Sequence, residues 1–401
     1  MSLSLCMIVR DEEQTLPACL TSVRAIADEL IIVDTGSTDR TIEIAELFGA
    51  RVYSFAWNDD FSTARNYSLQ FAQSDWVLVL DADEVLVPEA IPRLRQVMRL
   101  KKALLVNLLR QEVGAGQAPF SLISRLFRRH PDIQFCRPYH ELVDDSVMAI
   151  RQKETHWQII ELPGVAIRHI GYQTRVIAQK QKFDRACRIM EAYLRDHPND
   201  AYLCNKLGAL YADQGDLAKA LSCLQQGLAA DPPEPSIRYE LHYHLGGTYS
   251  QKQHRSEAET HYRKALEQPI PAPLKLGALS NWGKLLEEQG DWGGARALYQ
   301  QMVTAAPSYP PAYFNLGLAL KQLGDLPGAI AHYRQAIQLN PDFPEAHQNL
   351  GVALLKVGQI QESREAFQQA IALYQQQGSP EADRLDQALH DLGLHWQPNP
   401  E

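Results

Sequence analysis

Three groups of residues in the first half of the chain have types and spacing that could do chemistry. Asp81, Asp83 and Glu84 stand together directly after the apolar run Trp76 to Leu80. Carboxylates so placed suit a divalent cation, a hard ion that takes oxygen ligands. A helix N-cap after a strand is the plainer reading of the same residues. Asp34 ends a second apolar run and opens Asp34-Thr35-Gly36-Ser37-Thr38-Asp39, small polar residues that suit a tight turn and a helix cap. His140 and Glu141 are adjacent, a pairing suited to proton transfer, though such a pair in a loop can equally be solvated. His169 reads either as a ligand or as a satisfied, partly buried histidine. As a ligand it would favour Mn²⁺ over Mg²⁺, because imidazole suits the former better.

The elements that must position these residues are short apolar runs alternating with helical patterns, the mark of βαβ units and a largely parallel sheet. Leu3 to Val9, Leu30 to Val33, Arg51 to Phe55 and Trp76 to Leu80 read as strands. Leu16, Leu20 and Val23 recur at helical spacing. Helices are also expected through Ile42, Ala45 and Phe48, capped by Gly49, and from Ser62 to Ala72. Ala103 to Leu109 and Trp157 to His169 read as later strands, with a flexible loop at Gly114-Ala115-Gly116 between them. Ligands of open α/β sheets bind beyond the carboxyl ends of strands, and both acidic groups fall there. Asp34-Thr35-Gly36 also matches an aspartic-protease signature, but that chemistry needs two such carboxylates in an all-β fold.

The 401 residues, 45% of them hydrophobic, suffice for two cored domains. A net charge of −9 argues against a nucleic-acid binder, which needs basic surface to neutralise phosphates. The exception is the run Arg125, Arg128, Arg129 and His130 beside Leu122, Ile123, Leu126 and Phe127. It reads as an amphipathic strand or helix with a solvated face, or as a phosphate-binding patch. The six cysteines form no C-x-x-C pair and read as reduced, buried small hydrophobes. No signal peptide or transmembrane run is expected. The cytoplasm is the default location, with peripheral membrane contact left open.

From about residue 201 the pattern becomes purely helical with an internal period. Leu207-Gly208, Leu245-Gly246, Trp282-Gly283, Leu316-Gly317 and Leu350-Gly351 align, their glycines 38, 37, 34 and 34 residues apart. Seven residues after each comes Gly215, Gln253, Gly290, Gly324 or Gly358. Twelve after comes Ala220, Ala258, Ala295, Ala329 or Ser363, and sixteen after comes Leu224, Tyr262, Tyr299, Tyr333 or Phe367. The pattern resembles the tetratricopeptide repeat (TPR). Small residues let paired helices approach, glycine turns the chain, and the aromatic fills the space between.

Cys6 to Glu13, Ile31 to Thr41, Ala64 to Asn66 and Trp76 to Glu84 form four ordered blocks. In them the chain resembles the family-2 glycosyltransferases of glycosyltransferase-A (GT-A) fold. Tyr139-His140-Glu141, and His169 followed by Lys180 or Lys182, are features of the subgroup typified by lipopolysaccharide-core β-glucosyltransferases. The stretch Leu109 to Ser121 is short for that subgroup and departs from its acceptor loop. The resemblance implies that Asp34 hydrogen-bonds the nucleotide base, with the backbone around Met7 and Val9 and the Glu12 side chain lining the same pocket. It implies Arg65 near the diphosphate or base, Asp81 on ribose or sugar, and Asp83 on a cation bridging the phosphates. His169 would be a further metal or phosphate contact, and Glu141, with His140 beside it, the catalytic base of an inverting displacement.

The expected architecture is therefore an α/β domain at 1–175, GT-A and Rossmann-like with a mostly parallel sheet. A helical linker or half-repeat follows at 176–200, then an all-α TPR solenoid of about five repeats at 201–379 and a capping helix and tail at 380–401. The expected activity is inverting, metal-assisted transfer of a sugar, UDP-hexose being the foremost donor, with Mn²⁺ or Mg²⁺. The acceptor is a protein, peptide, glycan or lipid, and the repeats recruit it or another protein partner. The alternatives are a repeat scaffold whose nucleotide-sugar domain is inactive, and a nucleotidyltransferase. The latter is disfavoured because Arg10 to Glu13 stands where a glycine-rich phosphate cradle would be.

Overall fold

The computed structural model describes residues 1–114, 118–170 and 176–391, with side chains of 176–182 not described. The Ala115-Gly116 part of the expected loop, the side chains of Lys180 and Lys182, and the tail from residue 392 lie outside the described residues. The chain divides into two compact units, Met1–Thr248 and Tyr249–Glu401.

The first unit is built on an eight-stranded sheet ordered β3-β2-β1-β4-β7-β6-β8-β5. The strands are β1 (Leu3–Val9), β2 (Glu29–Asp34), β3 (Arg51–Ser54), β4 (Trp76–Val79), β5 (Glu84–Leu86), β6 (Ala103–Glu112), β7 (Phe120–Arg128) and β8 (Gln158–His169). β1 to β4 are mutually parallel, and β6 runs parallel to β8. β7 and β5 run against their neighbours. Strand alternation sorts the core. Leu5, Met7, Trp76 and Leu78 point to one face, under α1 (Leu16–Val23), α2 (Thr41–Leu47) and α4 (Ile91–Met98). Cys6, Val77 and Val79 point to the other, under α3 (Phe61–Leu69) and α5 (Asp144–Lys153). Both faces of this mixed sheet are thus covered, as apolar runs on both sides of its parallel part require.

The sheet domain does not end this unit. α6 (Val176–Asp196), α7 (Ala201–Asp213), α8 (Leu217–Ala229) and most of α9 (Pro235–Gln251) belong to it. Tyr139, from the sheet domain, packs in one apolar cluster with Ala186, Met190, Leu203 and Leu207.

The second unit holds α10 (Arg255–Leu266), α11 (Leu276–Glu288), α12 (Trp292–Ala305), α13 (Pro310–Gln322), α14 (Leu326–Leu339), α15 (Pro344–Lys356), α16 (Ile360–Gln376) and α17 (Glu381–Asp391). The aligned positions explain the pairing. A Cβ on Gly317 would lie 2.6 Å from the Tyr333 ring and one on Gly351 2.8 Å from Phe367. The glycine of one helix is therefore the seat of its partner's aromatic. Ala295 and Ala329 are fully buried beside them. Asp291 and Asp325 cap α12 and α14 by accepting from Gly294 N and Gly328 N. No helix among the described residues is long and apolar enough to cross a membrane.

Candidate functional site

The site lies where the parallel strands end. Asp34 is the last residue of β2 and 5% exposed. Its carboxylate accepts from Gly36 N at 3.0 Å and Ser37 N at 3.1 Å, and Gly36 takes a φ of 109° that few other residues could adopt. The loop after β1 is laced to this turn. Thr38 N donates to Asp11 Oδ1, Glu13 N to Asp39 Oδ2 and Thr41 Oγ1 accepts from Glu12 N. The expected side-chain cap is not made: Arg40 occupies the capping position of α2 without such a bond, and Asp39 before it accepts from Thr41 N at 2.9 Å. Met7 and Val9 are buried, at 0% and 3% exposure, so only their main chain can face a ligand. It is open to do so, because β1 pairs with β2 up to Val9 but with β4 only up to Cys6.

Beyond β4, Asp81 meets two arginines. Arg65, from α3, donates to Asp81 and to Glu141. Arg125 of β7 lies 3.6 Å from Asp81 and 3.7 Å from Glu141. Burial opposes the Asp81 charge, but Arg65 and then Arg125 outweigh it and hold the carboxyl well below its usual range. Arg65, 3% exposed, is here the ionic hub between the two carboxylates. One terminal nitrogen of Arg65 and one of Arg125 are buried with no partner among the described residues. Glu141 uses Oε1 for both arginines. Arg125 and Arg128 do not form a solvated face: they lie on an interior strand, in which Arg128 stacks 4.8 Å from the Trp76 ring centre, while Arg129, exposed just past the strand end, donates to Ser74 O.

Asp83 and His169 also come together, with Nε2 3.1 Å from Asp83 Oδ2. The other ring nitrogen lies 2.6 Å from Glu112 Oε2. Strand register explains this: His169 on β8 pairs with Glu84 on β5 and with Glu112 on β6. Arg110 then bridges Glu112 to Glu84, which is fully buried. Hydrogen bonds donated by its ring to Asp83 and Glu112 push His169 up to about 10, against its burial. Arg110 and Glu112 escape a sequence reading that ends this strand at Leu109, although charged residues two apart at a strand end share a face and signal a site.

The donor chemistry here fits a divalent cation. A carboxylate and an imidazole converge; a cation bound between them would displace the proton that Asp83 and Glu112 hold on the ring, leaving Glu112 to orient the imidazole as a carboxylate typically orients a ligating histidine. No group of three or more His, Cys, Asp or Glu among the described residues could cage a metal alone. A cation would take its remaining ligands from a bound diphosphate and water, as Mg²⁺ usually does.

His140 and Glu141 lie in a loop closed by the Cys136–Leu142 bridge. Arg137 and His140 both adopt positive φ, 77° and 54°. Arg137 pins the loop, lying 2.7 Å from Asp200 before α7 and 2.6 Å from Asp145. His140 is partly open to solvent. Desolvation by the surrounding protein, then the Lys206 charge, pushes its imidazole down to about 4.

Comparison with known proteins assigns a family to each part of the chain. The model described as glycosyl transferase family 2 matches residues 4–160. Tetratricopeptide or TPR repeat models match 178–235, 245–310, 319–358 and 344–376. The molecule is therefore a family-2 glycosyl transferase domain joined to tetratricopeptide repeats. A TPR repeat-containing protein of Synechococcus elongatus is 49% identical over 391 residues, covering 98% of this chain and 97% of that protein, and the chain belongs to its family. The SPbeta prophage-derived glycosyltransferase SunS of Bacillus subtilis is 27% identical over 199 residues, 48% of this chain and 45% of SunS. An uncharacterized glycosyltransferase of Rickettsia typhi is 26% identical over 186 residues, 44% of this chain and 63% of that one. Among solved structures, YrrB, described as a TPR protein with an unusual peptide-binding site, is 20% identical. It covers 46% of this chain and 91% of its own at a TM-score of 0.39.

Proposed function

We propose that the chain is an inverting glycosyltransferase that moves a hexose from a UDP-sugar to an acceptor recruited with the help of its repeats. The observation that carries this is the meeting of Asp83 with His169 and of Asp81 with Glu141 through Arg65, all at strand ends of a family-2 transferase domain. Asp34, Glu12 and the main chain of Met7 and Val9 hold the nucleotide base. Asp81 hydrogen-bonds ribose or sugar. Asp83 and His169 would hold a divalent cation, Mn²⁺ or Mg²⁺, and that group would supply charge neutralisation to a leaving diphosphate. Arg65 reaches the donor only through the two carboxylates it positions.

The acceptor oxygen forms a bond to the anomeric carbon while the bond from that carbon to the phosphate oxygen breaks. Its electron pair leaves with UDP, and the acceptor proton passes to Glu141. Oε1 of Glu141 is held by the arginines, while Oε2 carries no hydrogen bond among the described residues. His140 stands beside it as an uncharged imidazole. The domain limits that suit this reading are 1–175 for transfer, 176–200 as connector and 201–379 for the repeats, with a cap beyond 380.

Calorimetric titration of UDP, then GDP and CDP, with Mn²⁺ and again with EDTA, tests the proposal. Metal-dependent binding of UDP is expected. Absence of binding by every nucleotide would replace this reading with a repeat scaffold carrying a silent domain.

A further inference from the structure

We infer that Arg137 and Asp200 are positioning residues for the base: their ion pair ties the main chain of the loop that carries Glu141 to the first repeat, so that transfer depends on α7. The inference rests on the transferase reading above and adds to it the residues that place its base.

Glu141 is held twice, once by its carboxylate and once by its main chain. The carboxylate is fixed by Arg65 and Arg125. The main chain belongs to a loop that closes on itself, because Cys136 N donates to Leu142 O at 2.9 Å and Leu142 N to Cys136 O at 3.2 Å. The stem of this loop is tied to α3. Asn66 accepts from Phe135 N at 2.7 Å and donates to Phe135 O at 2.9 Å. Asn66 directly follows Arg65, so the helix that supplies the arginine also fixes where the loop begins. Further along, Phe61 N donates to Pro138 O at 2.9 Å. Arg137 and His140 flank that point with φ of 77° and 54°. Residues with a Cβ seldom adopt this conformation, and it persists only where the surroundings over-determine it.

The surroundings that do so include the first repeat. Arg137 reaches out of the loop with two arms of its fork. Nε donates to Asp200 Oδ2 at 2.7 Å, and a terminal nitrogen donates to the exposed Asp145 at 2.6 Å. The guanidinium lies 5.3 Å from the centre of the Tyr202 ring, which also takes Lys206 at 5.0 Å. Asp200 is itself fixed. Its side chain is 10% exposed, and its second oxygen accepts from Leu203 N at 2.9 Å and so caps α7. Burial works against the Arg137 charge, but Asp200 and then Asp145 outweigh it and hold the guanidinium above its ordinary value. Tyr139 packs in one apolar cluster with Ala186, Met190, Leu203 and Leu207 of α6 and α7. Arg137 and Tyr139 are two of the four residues between Cys136 and Glu141. With the loop closed at its base there is little slack between them and Glu141, and a shift of the anchor moves the base.

The full-length chain and the variants Asp200→Asn, Arg137→Met and Arg137→Lys would be compared. Asparagine still caps a helix, and methionine keeps an apolar stem beside Tyr202, so both remove the ion pair with little change of shape. Amide hydrogen exchange reads the loop. UDP release from UDP-glucose, UDP-galactose and UDP-N-acetylglucosamine with Mn²⁺, water standing in for the acceptor, reads the base. UDP binding is titrated in parallel. Exchange across 136–142 should quicken about tenfold or more in Asp200→Asn and Arg137→Met, with β1 to β4 as in wild type. The kcat for UDP release should fall about tenfold or more, with KM for the donor and UDP affinity held within about twofold. Arg137→Lys keeps the charge but not the fork and should recover part of the loss. In a Glu141→Gln background Asp200→Asn should cost nothing further, because it acts through that carboxylate.

Unchanged exchange across 136–142 in both variants overturns the anchor, and Asp200→Asn alone decides this if Arg137→Met fails to fold. Faster exchange with unchanged kcat, or an undiminished further loss in the Glu141→Gln background, overturns the positioning role. A wild-type chain that binds UDP but releases none from the three donors overturns the UDP-hexose reading, and one that binds no nucleotide overturns the transferase reading itself. In both cases the exchange measurement still decides whether the anchor holds the loop.

Discussion

At the scale of single residues, Asp83 and Glu141 divide the proposed work in ways that experiment can separate. Asp83→Ala removes the carboxylate that converges with His169. UDP binding by this variant should lose its dependence on Mn²⁺, read by titration with and without EDTA. Glu141→Gln keeps the side chain's shape and should leave UDP bound while kcat for transfer falls by ~10²–10⁴, the usual contribution of a general base. Normal turnover by that variant rules out the base. His140 and His244 make a third case. Each is held down to about 4 by burial first, against about 6.5 when unfolded. Folded chain thus binds fewer protons than unfolded chain between those values. Stability should rise with pH from about 4 to 6.5 and be lost as pH falls through that window. A His140→Asn, His244→Asn double variant should flatten that limb of a thermal-midpoint-against-pH curve.

At the scale of elements, the repeats carry a test of their own turn. Gly290, Gly324 and Gly358 take φ of 78°, 85° and 79°, whereas the equivalent residue after α9 is Gln253 at 63°. A side chain there is strained. Gln253→Gly should raise stability by ~0.5–1 kcal/mol. Gly317→Ala should lower it by ~1–3 kcal/mol, because the new Cβ would meet the Tyr333 ring. Thermal melts of both variants check the opposed signs. These elements were legible in sequence because helix pairs repeat their spacing, and β1 to β4 because buried parallel strands read as plain apolar runs. β5 is three residues long and β7 mixes Arg125 and Arg128 into an interior strand, so neither shows a clean period. At the site, the motif residues Asp34, Asp81, Asp83, His140, Glu141 and His169 were visible. Arg110 and Glu112 were not, because what brings them in is the register of β6 on β8. Nor could local sequence show Arg65 held between Asp81 and Glu141, since those partners come from distant segments.

At the scale of the molecule, the first compact unit reaches Thr248. A fragment of residues 1–248 should melt in one cooperative transition. A fragment of 1–175 would lose the Arg137–Asp200 and Asp59–Arg185 pairs and uncover Tyr139, and should melt earlier or aggregate. Circular dichroism melts of the two fragments compare them directly. The turn glycines also bear on how such a chain can change over generations. Gly290, Gly324 and Gly358 fall at identical intervals. Duplicating or deleting one whole block between them leaves every remaining seat and cap in phase, so recombination can lengthen or shorten the array in unit steps. The block containing α7 is not interchangeable in this way, since Asp200 before it pairs with Arg137 and its Leu203 and Leu207 pack with Tyr139 of the sheet domain. Variation in copy number is free toward the C-terminal end and constrained where the repeats begin.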